Sequence, residues 1–61
     1  MTLTLRKWEL NKDRTPNYFE RHEIRISGGN AKACMEMTMQ LKETNDLSRF
    51  TPLEIINVED E

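Results

Sequence analysis

Residues 27–41 read SGGNAKACMEMTMQL and hold both glycines, the only cysteine and three of the four methionines of the chain. Three chemistries suit residues of these types. Gly28-Gly29 before a helix could cradle a phosphate, because free N–H groups and the helix dipole attract anions there. The spacing matches neither GxxxxGK[ST] nor GxGxxG, so a nucleotide loop is not indicated and the glycines read as a strand-to-helix hinge. Cys34 would fall in the first helical turn, where a thiol pKa can be depressed. Nucleophilic catalysis also needs a base and an oxyanion partner. His22, the single histidine, is the one candidate base, and a lone cysteine is more often a small buried hydrophobe. Cys34, Met35, Met37 and Met39 are soft ligands of the kind Cu(I) takes. At a spacing of two, however, side chains align in a strand and diverge in a helix. A helical segment therefore excludes a sulfur cluster, and one Cys with one His does not make a zinc site. No catalytic residue, cofactor site or metal site is expected.

The elements that must position these residues follow from periodicity. Thr2–Leu10 alternates, with Leu3 and Leu5 on one parity and Thr4, Arg6 and Trp8 on the other, which predicts a strand. Residues 11–17 (NKDRTPN) read as a loop. Tyr18–Ser27 is a second strand, with Tyr18, His22, Ile24 and Ile26 on one face and Phe19, Arg21, Glu23 and Arg25 on the other. The two form an antiparallel hairpin whose register the long loop leaves open. Asn30 or Ser27 can cap a helix over Ala31 to about Thr44. Asn45-Asp46 ends it, Leu47–Phe50 is a connector, and Leu53–Val58 is a third strand. Residues 58–61 run into an acidic tail. The predicted fold is α+β, with order β-β-α-β: a three-stranded antiparallel sheet of strand order 2-1-3 packed on one helix.

Size and charge narrow the function. One 61-residue domain buries only about 60% of its unfolded surface and is marginal alone. With one cysteine no internal disulfide can help, and self-association as a homodimer is one remedy. The free thiol, the absence of a signal-like amino terminus and the lack of a long apolar run predict a cytoplasmic chain with no membrane span. Net charge is −2, but Lys and Arg gather in residues 1–32 and Asp and Glu in residues 33–61. That split is either an electrostatic footprint or two halves that neutralise each other on folding.

Two surfaces remain. The apolar arc of the helix is wider than the usual core-facing stripe of about 100°, which leaves Met35 and Met39 at its rim. They either meet a partner or are covered by the sheet edge or the connector at Leu47 and Phe50. The outer hairpin face brings together Arg6, Trp8, Phe19, Arg21 and Arg25. Such a face can bind protein, stack nucleic-acid bases, or stand solvated. The expected function is a small non-enzymatic regulator or inhibitor that occupies a surface of a larger protein, such as an accessory protein of a phage or mobile element. The alternative is a nucleic-acid-binding regulator that uses the hairpin face.

Overall fold

The computed structural model describes residues 1–60. The elements are β1 (Thr2–Leu10), β2 (Pro16–Ser27), α1 (Ala31–Thr44) and β3 (Glu54–Glu59). All pairings are antiparallel and the strand order is β2-β1-β3, which is the α+β architecture read from the sequence. β1 opens with alternating threonine and leucine because it is the central strand and buries one face. Leu3, Leu5, Ile26, Cys34 and Leu53 form a single buried cluster, with Met1, Ile24 and Leu41 packed against it. Cys34 and Thr38 are the buried residues of α1, and the helix comes closest to the sheet at β2.

Local chemistry fixes the boundaries. The Asn30 side chain accepts the Ala33 N–H at 2.8 Å from an extended backbone (φ −151°), so Asn30 is the amino-terminal cap. The β1–β2 connection is five residues, not seven, because β2 begins at Pro16, opposite Leu10. A first strand position tolerates a residue without an N–H. Asn11 donates its N–H to the Thr15 carbonyl (2.8 Å), and Asp13 accepts the Thr15 N–H (3.1 Å). Arg14 takes φ 69°, the left-handed region.

β3 ends later than predicted. Val58 pairs with Leu3 and Glu59 with Thr2, so the acidic tail does not begin at residue 58. Only Asp60 follows the strand among the described residues, and Glu61 lies outside them. Past β3, the connector takes over the edge of β1. Leu10 donates to the Arg49 carbonyl (2.8 Å) and Thr51 donates to the Trp8 carbonyl (2.9 Å). No described helix is long and apolar enough to cross a membrane.

Candidate functional site

Strand register sorts the sequence-predicted residues into two surfaces on opposite faces of the sheet. Cross-strand partners point to the same face. Leu3 pairs with Ile26 and Val58, and Leu5 with Ile24 and Ile55, on the face that carries the buried cluster. Arg6 pairs with Glu23 and Glu54, Trp8 with Arg21, and Thr4 with Arg25, on the outer face.

On the outer face, the Arg6 guanidinium lies 5.0 Å from the Trp8 ring centroid and donates to Glu54 at 3.2 Å. Tyr18 meets Trp8 edge to face at 5.0 Å. This corrects the expected placement of Tyr18 with His22 and the isoleucines. The register jumps from Trp8↔Arg21 to Glu9↔Asn17, so Tyr18, Phe19 and Glu20 form a bulge and the alternation of β2 does not carry through it. Phe19 sits in that bulge, 97% exposed. The cations Arg6, Arg21 and Arg25 share the face with Glu23, Glu54 and Glu59. Charge there is balanced locally, which gives a phosphate backbone little net attraction.

The inner face tells a different story. α1 leans toward β2, and an open apolar groove of about 290 Å³ runs between its other flank and β3. Met35, Met39 and Ala31 line it from the helix, Ile55 and Val58 from β3, and Met1, Leu3, Thr38 and Lys42 complete it. Met35 and Met39 are 61% and 60% exposed. The Thr38 hydroxyl is already committed to the Cys34 carbonyl at 2.8 Å. Among the described residues, Lys42 therefore supplies the uncommitted polar side-chain group of the lining. The connector does not cover the methionines. It docks at the far end of β1, where the Lys7 ammonium stands 3.9 Å from the Phe50 ring centroid and Asn45 binds the Thr51 carbonyl. The Asp46 carboxylate takes hydrogen bonds from the Ser48 N–H and hydroxyl, which hold its pKa below the ordinary carboxylate value.

Cys34 is fully buried, and its S–H donates to the Met1 carbonyl at 3.5 Å. His22 stands elsewhere, 3.5 Å from Glu9 and edge to face with Phe50. The two side chains have separate partners and are not brought together. Gly28 owes its identity to Cys34: a Cβ there would lie 2.8 Å from the sulfur, whereas one on Gly29 would meet nothing within 4 Å. Both glycines lie between β2 and α1 as read from the sequence, but neither takes a positive φ, so packing and not backbone freedom accounts for Gly28.

No family model, curated protein or solved structure matches the chain.

The groove carries two residues read from the sequence, Met35 and Met39. Ile55, Val58 and Met1 were missed. The signal for β3 was the apolar run LEIINV, too dense in isoleucine and valine for a strand with one solvated face.

Proposed function

We propose that this chain is a non-enzymatic interaction protein, a small regulator or inhibitor that docks on a larger protein through the groove between α1 and β3. One observation carries the reading: Met35, Met39, Ile55 and Val58, from two separate elements, converge on one open apolar surface. Methionines suit such a surface because their unbranched side chains adapt to a partner. The total surface supports it. At 7.3 kDa the chain exposes 4626 Å², about a tenth more than the roughly 4200 Å² that a folded monomer of this mass exposes. A small-molecule site fits less well, since such sites place several convergent polar groups in an apolar cleft. The outer hairpin face, with Trp8 already packed by Arg6 and Tyr18, is the weaker candidate for docking.

The test is affinity capture from lysate of the native host with the wild type and with Met35→Glu, Met39→Glu and Arg21→Ala/Arg25→Ala variants, each checked for retained fold by circular dichroism. A partner held by the wild type and the arginine variant but released by both methionine variants supports the reading. Capture that survives in the methionine variants and fails in the arginine variant moves the interface to the hairpin face.

A further inference from the structure

The groove lies beside an unfinished sheet. β3 is the terminal strand, and among the described residues nothing pairs with its outer edge. Its backbone N–H and C=O groups on that side are therefore the richest directional hydrogen-bonding groups next to a groove whose side chains are nearly all apolar. The side chains of the same strand divide cleanly. Ile55 and Val58 face the groove, while Glu54 and Glu59 face the outer side, Glu54 paired with Arg6 yet largely exposed and Glu59 accepting from Asn57, and Asp60 follows. No lysine, arginine or proline interrupts residues 54–60; of the devices that keep an edge from pairing, β3 has short length, terminal glutamates and a one-residue irregularity.

Resting on the docking reading above, we infer that the partner is bound by strand addition. An extended segment of another protein pairs with the outer edge of β3, spans the extra residue Ile56, and so sets apolar side chains along the groove and basic side chains opposite Glu54 and Glu59. Main-chain bonds would supply affinity, and the alternating side chains specificity. At about 3.3 Å per residue the six residues of β3 span roughly 20 Å, enough for a segment of similar length. Charge selects this occupant over a second copy of the chain. In a symmetric antiparallel pairing centred on Ile56 and Asn57, Glu54 of one copy would stand opposite Glu59 of the other, and like charges directly opposed destabilise a sheet. A basic segment converts both repulsions into attractions.

The probe is a blocked heptapeptide alternating valine and lysine, with its valine–glutamate counterpart as control. Amide hydrogen exchange and a binding titration are followed at low and high salt. The lysine peptide should slow exchange along 54–59 and leave β2 unchanged. It should bind about tenfold or more tighter than the glutamate peptide, lose that advantage in high salt, and lose it also in Glu54→Gln/Glu59→Gln. In Glu54→Lys/Glu59→Lys the preference should reverse. Protection on β2, equal binding of the two peptides, or no protection of β3 would overturn strand addition. So would a dimer in sedimentation of the protein alone with β3 already protected, which gives the edge to a second copy. If host capture fails in Met35→Glu while the peptide leaves β3 unprotected, the docking groove stands and strand addition falls. If β3 is protected and no capture depends on the methionines, the reverse holds.

Discussion

The two edges of this sheet differ in how far they are closed. The β2 edge carries Glu20, Arg21, Glu23 and Arg25, begins at a proline and is broken by the Tyr18–Glu20 bulge. Charge, proline and bulges are the standard means of blunting an edge. The helix adds to this closure, since Gly28 lets Cys34 approach the end of β2. The β3 edge differs in having no proline and an apolar centre, half-exposed at Ile55, Ile56 and Val58, between Glu54 and Glu59. Its register against β1 also shifts, by one residue at Thr4/Leu5, whereas the β2 shift is larger. A helix that leans to one side of a three-stranded sheet closes one flank and opens the other. The difference leaves the free apolar surface on the β3 side.

Truncation should expose that asymmetry most strongly. Ile26, 2% exposed on the closed flank, should cost about 2–5 kcal/mol as alanine. That is much of the roughly 3–9 kcal/mol available to a chain of this length. Met39→Ala on the open flank should cost less than about 1 kcal/mol. Urea denaturation of both variants checks the pair, and equal losses would erase the distinction between the flanks.

A smaller effect sharpens the closed side. Gly28→Ala should destabilise by about 1–2 kcal/mol, overpacking against Cys34 being partly offset by the reduced entropy of the unfolded chain. Such a loss lowers Tm by about 4–8 °C per kcal/mol in a domain of this size. Gly29→Ala should stay within about 0.5 kcal/mol. In a Cys34→Ala background the Gly28→Ala penalty should vanish, because the sulfur it strikes is gone. A penalty that persists there would place the cause in the backbone.

The smallest expected effect is the response to acid. Thr15 holds Asp13, and Ser48 holds Asp46, below the ordinary carboxylate value of 3.8 through hydrogen bonds to the ionised form. A pKa depressed by folding stabilises the folded state above the unfolded value, and that contribution is lost as pH falls through 3.8 toward the folded value. Both carboxylates are solvent-exposed, so the loss should be slight. Urea midpoints should fall modestly between about pH 6 and about pH 3, and Ser48→Ala should shrink the fall. A midpoint that rises in acid would contradict the assignment.

Much of this asymmetry was legible in the residues. The alternation of Leu3 and Leu5 with Arg6 and Trp8 gave β1 and its two faces, and the helix bounds and strand order followed from propensity and connection length. Met35 and Met39 were visible at the rim of the helix because they lie four residues apart. What stayed hidden depends on pairing. A bulge leaves no mark in one strand's periodicity, so Tyr18 was assigned to the inner face and Ile55 and Val58 were not matched to the methionines. The connector was hidden for a related reason. Asp46 and Ser48 form a local turn whose purpose appears only when Arg49–Thr51 pairs with β1. Phe19, Trp8 and the arginines were grouped by parity as one surface. Register keeps Arg6, Trp8, Arg21 and Arg25 together and balances them with glutamates.

The most direct test of a docking groove on the β3 flank uses the methionines themselves. With ¹³C-labelled methionine methyls, Met35 and Met39 report on the groove, while Met37 is exposed but absent from the groove lining. On addition of the captured partner, the Met35 and Met39 signals should shift or broaden and the Met37 signal should hold still. A change at Met37 with Met35 and Met39 unmoved would contradict the account.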